Sequence, residues 1–165
     1  AMALQGLGSD VPAESAKVLT EAQAKDAELA RLEEELAAQV APHGEILSRK
    51  TLQGKPGYVL SASGIKPGRA VLNDDARQQL TQLASKLKSG GKAWLIAGYT
   101  DNLGSDAVNL QLSRQRADAV LSVLKAAGIP AGKLSAKGMG SGNPVASNAG
   151  KSGRAQNRRV EIIQK

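Results

Sequence analysis

The 165-residue chain has no cysteine and no phenylalanine, and it has a single histidine and a single tryptophan. Without cysteine, disulfides and thiolate chemistry are excluded. The one histidine, His43, has no second histidine and no close acidic cluster beside it in sequence. A metal site is therefore not expected, and no Ser/His/Asp set assembles around it. Aromatic residues amount to 2%, too few to supply the stacking platforms that single-stranded nucleic acid requires, so nucleic acid is not the expected partner. The core has to be built from Leu, Val, Ile and Ala, with Trp94 as its one large filler. No apolar run approaches the ~18 residues of a spanning helix. The first residues, Ala1-Met2-Ala3-Leu4-Gln5, lack the basic-then-apolar order of a secretory signal. The expectation is a soluble piece of an exported protein, reaching a membrane only through an anchor outside this stretch.

What is present is a globular balance: 41% hydrophobic and 22% charged residues, enough for one ordinary domain and an extension. The net charge of +7 is unevenly placed, with five Lys/Arg against nine Asp/Glu in residues 1–54 and seventeen against six in residues 55–165. The basic surplus belongs to the second part and favours an anionic partner. We accordingly divide the chain into an N-terminal helical extension with linker, 1–54, and a folded domain, 55–165.

From Pro12 to Val40 the sequence reads as one helix, rich in Ala, Glu, Lys, Gln and Leu, with Ser9 or Asp10 as its cap. Leu29, Leu32, Leu36 and Val40 line one side. Two uses fit: packing on its own domain or a neighbour, or a spacer that pairs copies and leads to a membrane anchor. Pro42, Gly44, Gly54, Pro56 and Gly57 place a linker over 41–57. Tyr58–Ala62 reads as a first strand, followed by a turn at Gly64–Gly68. Asn73 caps a helix whose first turn carries Asp74 and Asp75 and whose apolar positions are Ala76, Leu80, Leu83, Ala84 and Leu87. Gly90-Gly91 ends it. Ala93–Ala97 forms a buried strand, a second helix runs to about Ala127, Leu134–Met139 is a third strand, and Arg158–Ile163 a last one after a loop over 140–156. The order β-α-β-α-β-β implies an α+β fold, an α/β sandwich with a mixed sheet.

The stretch from Gly98 to Ala119 concentrates the chemistry. A strand runs into a turn presenting Asp101, and the following helix carries Arg116. One carboxylate and one guanidinium delivered to neighbouring places suit a small ligand bearing both an ammonium and a carboxylate. With Ser113 as the helix cap, Arg116 lies in the first turn against the helix dipole; with a start near Ser105 it lies mid-helix. Asn109 either reads the ligand or fastens the turn to the helix. Arg158 and Arg159 point to opposite faces of a strand, so only one can face the site. Arg154 is a loop anchor or a solvated charge. Gly138-Met139-Gly140-Ser141-Gly142 lacks the Lys-Ser/Thr pair of a phosphate loop, and Asp101 with Asp106 lacks the spacing of a calcium loop.

Three ordered segments carry a family resemblance. Thr100-Asp101-x-x-Gly104, then Asn109-x-x-Leu112-Ser113-x-x-Arg116-Ala117-x-x-Val120-x-x-x-Leu124, then Gly153-Arg154-x-x-Asn157-Arg158-Arg159-Val160-Glu161 resemble the successive signatures of the OmpA-like peptidoglycan-binding domain, the type found in OmpA, Pal and MotB. The resemblance spans about Tyr58 to Gln164 and implies the same α+β architecture. It further implies a non-enzymatic domain, without cofactor, that grips the diaminopimelate residue of the wall's stem peptide. Such a domain tethers an envelope protein in the periplasm, at the outer membrane of a Gram-negative bacterium. Carried over by position, Asp101 holds the ligand's ammonium, Arg116 its carboxylate, Asn109 and Arg158 support them, and Thr100 and Leu112 complete the surroundings. The chain departs from the pattern at Tyr58–Ser63, which lacks the usual acidic residue, and at Tyr99, which replaces a usual histidine, so one wall of the implied pocket differs.

Two such charge pairs, at roughly 1.5–3 kcal/mol each, leave micromolar to millimolar affinity after entropic losses. Weak single sites suit a protein tethered beside a polymer of repeated sites. The competing reading is an assembly module that keeps the fold and engages a protein partner, or a second copy through the N-terminal helix, without wall binding. An enzyme acting on wall peptide has no nucleophile, base or metal set in its favour.

Overall fold

The computed structural model describes residues 21–40, 46–66 and 68–165. The expected caps at Ser9 and Asp10, the start of the first helix, His43 and Pro67 lie outside these residues.

Helix α1 (Glu21–Val40) is followed by strands β1 (Leu47–Leu52) and β2 (Lys55–Ser61), helix α2 (Asp74–Gly90), strand β3 (Trp94–Tyr99), helix α3 (Asp106–Ala126), strand β4 (Leu134–Gly138), helix α4 (Lys151–Asn157) and strand β5 (Arg159–Gln164). The five strands form one mixed sheet in the order β1-β2-β5-β3-β4. Only β3 and β4 run parallel, joined by the α3 crossover; every other neighbouring pair is antiparallel. β5 is inserted between β2 and β3, which α2 connects, giving a split β-α-β unit.

Local chemistry accounts for the helices. Asn73 sits in extended backbone and its side-chain oxygen accepts the Ala76 N–H at 2.9 Å, while Asp74 and Asp75 occupy the positive end of α2. The same Asn73 donates to the Ser63 carbonyl at 2.7 Å, tying the cap to the turn that follows β2. α2 stops at Gly91, which adopts the left-handed conformation.

One face of the sheet and the inner faces of α2 and α3 enclose the core, which contains Leu60, Leu80, Leu83, Trp94, Ile96, Val120, Leu124, Val160 and Ile162. The register places Tyr58, Ile162, Ile96 and Ala136 in one row across the sheet, and Leu60, Val160, Gly98 and Gly138 in the next. The glycines of the second row let α3 come down on β3 and β4. A Cβ on Gly98 would lie 2.0 Å from the Ser113 carbonyl oxygen, and one on Gly138 would lie 2.7 Å from the Arg114 nitrogen. This close approach sets the height of α3, and therefore of Arg116, over the carboxyl end of β3.

Three features differ from the sequence reading, and the structure decides between two alternatives left open for a fourth. The linker placed over 41–57 gives way to a hairpin: β1 pairs with β2 across a turn in which Gln53 and Gly54 both have positive φ. The sheet thus begins at Leu47, inside the 1–54 extension, and the order is β-β-α-β-α-β-α-β after α1. The loop over 140–156 contains the short helix α4, which starts at Lys151. For α3 the alternative with a start near Ser105 holds: Ser105 is the cap, and its hydroxyl accepts the Val108 N–H. Ser113 is therefore not its cap, Arg116 is mid-helix, and no opposition to the helix dipole arises.

Gly98→Ala is expected to destabilise the domain by about 1–3 kcal/mol or more, since backbone rather than a flexible side chain opposes the new methyl. Gly132→Ala, with nothing near its Cβ position, should be close to neutral. Urea denaturation of both variants checks the pair.

Candidate functional site

The site lies at the carboxyl end of β3. The Thr100 N–H donates to the Gly140 carbonyl at 2.7 Å, the Gly140 N–H donates to the Ser113 hydroxyl at 2.9 Å, and that hydroxyl donates to the Leu110 carbonyl. The Gly138–Gly142 segment is therefore a tie between β4, the Asp101 turn and α3. Asp101 has no exposed surface. One carboxylate oxygen accepts the Leu103 N–H at 3.0 Å, shaping the turn, and the other accepts from Arg158 Nη1 at 2.6 Å. Thr100 is buried and its hydroxyl donates to the Asp101 carbonyl at 2.8 Å. Asn109 Nδ2 donates to the same carbonyl at 3.4 Å, fastening α3 to the turn.

Arg116 is 1% exposed. Its Nε donates to the Arg69 carbonyl at 3.0 Å and its Nη2 to Glu35 at 2.8 Å, while Nη1 has no hydrogen-bond partner among the described residues. Burial pushes this guanidinium below its ordinary value, against the opposing pull of Glu35. Arg158, at the end of α4, pairs with both Asp101 and Glu34. Its neighbour Arg159 does something different. It pairs with Glu161 at 2.7 Å and lies over the Tyr99 ring at 3.9 Å. Of the two adjacent arginines, only Arg158 reaches Asp101. Leu112 is half-buried and lines, with Val108, Gln111, Leu29 and Leu32, a groove of about 540 Å³ between α3 and α1.

The residues that sequence reasoning missed are on α1. Arg31, Glu34 and Glu35 share one face of the helix at i, i+3 and i+4, and that face is turned into the site. Arg31 donates to Asn109 Oδ1 at 2.6 Å and to the Leu103 carbonyl, and its Nε is 3.5 Å from the Asp101 carboxylate. Glu35 accepts from Arg116 and from the Gly68 N–H at 3.1 Å. Glu34 accepts from Arg154 Nη2 at 2.7 Å and Arg158 at 3.1 Å. Arg154 also donates to the Asn148 carbonyl, so it is a loop anchor. Leu29 and Leu36, read as part of a packing side, are 55% and 51% exposed. The helix docks by its charged face. No spacing rule signals this, because the partners are 33 to 124 residues away and a charged helix face ordinarily faces water.

Asn157 was also missed as an organiser. Its amide accepts from Val145 N and Ala146 N and donates to the Ala146 carbonyl and Asn148 Oδ1. It holds the 145–148 loop beside Arg154 and Arg158.

Two consequences are measurable. Arg158→Met leaves a buried Asp101 without its closest cation, which is expected to cost about 3–5 kcal/mol by urea denaturation. The hydrogen bond from Arg154 holds the Glu34 carboxyl below its ordinary value of 4.5, with burial opposing and the Arg158 bond adding to the shift. A lowered folded-state value contributes stability that is complete above the ordinary value and is lost as pH falls through the folded one. Hydrogen-exchange protection of α1 should therefore persist from neutral pH down to that ordinary value and fall below it, while α2 remains protected.

The geometry can be set against known proteins. The peptidoglycan-binding protein ArfA of Mycobacterium bovis is 49% identical over 85 residues, 51% of this chain and 26% of that protein. The probable lipoprotein YiaD of Escherichia coli is 44% identical over 94 residues, 56% of this chain and 43% of that protein. The chain thus spans a quarter to under half the length of these curated relatives. The crystal structure of the peptidoglycan-associated lipoprotein from Burkholderia pseudomallei matches with a TM-score of 0.55 and 33% identity, covering 58% of this chain and 82% of that one. The sequence pattern of the OmpA family matches residues 66–158. Over more than half its length, with the mixed sheet and the Asp101–Arg116 turn and helix described above, the chain belongs to the OmpA family.

Proposed function

We propose that this domain binds peptidoglycan non-covalently and tethers an envelope protein to the cell wall. Membership of the OmpA family, with relatives named as a peptidoglycan-binding protein and a peptidoglycan-associated lipoprotein, supports a binding and anchoring role over an enzymatic one. In our reading the ligand is the diaminopimelate residue of the stem peptide. Asp101 takes its ammonium and Arg116 its carboxylate, while Asn109, Arg158 and Thr100 hold Asp101 in place and Leu112 borders the groove. The setting is the periplasm, at the outer membrane, in line with the lipoprotein relatives.

The observation that carries this reading is the pairing of charges at the site. A cation stands at Asp101 and an anion at Arg116, both brought by one element from outside the sheet and its two packed helices. The site accepts a positive and a negative group side by side, which is what an amino-acid head group offers. The same observation also supports the second reading, an assembly module whose site is permanently filled by its own helix and which never meets the wall.

Co-sedimentation with purified sacculi separates the two. Binding to diaminopimelate-containing sacculi, released by free diaminopimelate and not by lysine, is the expected result. Asp101→Asn and Arg116→Gln should each weaken it by roughly 10- to 100-fold, the worth of one charge-assisted pair. Retention of full binding by both variants, or binding that fades with salt alike for any lost basic residue, would overturn the assignment.

A further inference from the structure

We infer that α1 is a tethered stand-in for the ligand, so that docking of α1 and binding of the wall exclude one another. This rests on the reading of Asp101 and Arg116 as the ligand site. Arg31 brings a cation to the Asp101 carboxylate and to Asn109, and Glu35 brings an anion to Arg116. Sign by sign and partner by partner, the helix supplies what the ligand's ammonium and carboxylate would. Arg31, Glu35, Asp101 and Arg116 are all 4% exposed or less, so the docked helix covers the charges at Asp101 and Arg116.

The way α1 is held makes it displaceable. Its inward face is ionic, while Leu29 and Leu36 remain in solvent. Taking charges out of water offsets most of what their pairing returns, so the contact contributes far less than an apolar interface of the same size. The fit is also incomplete: Arg116 Nη1, Arg31 Nε and Arg158 Nε are buried without hydrogen-bond partners among the described residues. A small carboxylate free to approach in the guanidinium plane can take two nitrogens at once, whereas Glu35 takes one. The competition is then close to balance. A short tether presents α1 at an effective concentration of the order of millimolar, against a single-site affinity of micromolar to millimolar. One wall peptide competes poorly, whereas a dense array of them, or a pull on the chain before α1, tips the site open. Release also frees the whole of the helix's charged face at once.

The full chain tests this. Arg31→Ala combined with Glu35→Ala removes both stand-in charges and leaves every ligand-facing residue in place. It should bind diaminopimelate-type sacculi at least 10-fold more tightly than the unaltered chain. Glu34→Ala, which loosens α1 from Arg154 and Arg158 without touching Asp101 or Arg116, should move binding in the same direction. Free diaminopimelate added to the unaltered chain should raise amide exchange along Glu21–Val40 while α2 stays protected. If the double variant and Glu34→Ala bind no better than the unaltered chain, and Asp101→Asn still weakens binding by roughly 10- to 100-fold, the stand-in is disproved and the wall site stands. If neither the unaltered chain nor the double variant binds sacculi, the wall site itself fails, and the stand-in with it.

Discussion

The buried pair between Asp101 and Arg158, 2.6 Å apart and essentially without exposed surface, is the contact on which the rest of the site depends. A carboxylate in that position without a cation would cost several kcal/mol. The pairing requires β3 and the start of β5 to be antiparallel neighbours, as Tyr99 opposite Arg159 shows. The inserted strand order is thus linked directly to the site: place β5 at the sheet edge and Arg158 no longer reaches Asp101. Around this pair the charges do not balance within the OmpA-family domain alone. Arg116, Arg154 and Arg158 stand against Asp101, three cations to one anion. The α1 face adds Glu34 and Glu35 and one cation, Arg31, which reduces the excess to four against three. A site with surplus positive charge will take an anionic occupant, whether from the chain or from the wall.

How much of this was legible depends on distance along the chain. The Asn73 cap, the amphipathic face of α2, the buried strand β3 and the stop near Gly128 are short-range patterns, and the structure has them where the residues place them. The β1–β2 hairpin was hidden by Pro56 and the glycines. Pro56 is tolerated because it pairs only with Thr51 on β1, and the ladder to β5 starts at Gly57. The turn itself uses Gln53 and Gly54, with positive φ at both, in place of the more readable Asn-Gly. In the site, Asp101, Arg116, Asn109 and Arg158 were marked by motif, and they do lie together. Their partners Arg31, Glu34 and Glu35 were not, since a run such as Glu33-Glu34-Glu35 on a helix carries no local sign of which face is buried.

The placement of Arg116 changes what it is suited for. At a first turn it would share an anion with the helix's free N–H groups. Mid-helix it must bind with its own nitrogens, and Arg69 already takes Nε, leaving Nη1 and Nη2 as a fork. That fork matches a carboxylate presented edge-on and is poorly used by a helix-borne glutamate whose backbone is fixed by other contacts. The preference for a small free carboxylate that we propose is therefore a matter of geometry, and is separate from the overall charge that draws either occupant in.

The uneven charge along the sequence takes on a different meaning in this light. An acidic N-terminal stretch ahead of a basic domain reads at first as two regions with separate external partners. Part of that asymmetry is internal, because the acids of α1 neutralise arginines of the domain. Attraction between the undocked helix and the domain is screened beyond about 8 Å at physiological salt, so added salt slows the return of α1 more than it weakens the buried pairs once formed. A multivalent wall faces the same screening on approach but, once engaged at several sites, does not depend on it. On the proposed exchange, the longer the helix takes to return, the greater the share of time in which a neighbouring wall peptide finds Asp101 and Arg116 unoccupied, and the competition is set by kinetics of re-docking as much as by the strength of either contact.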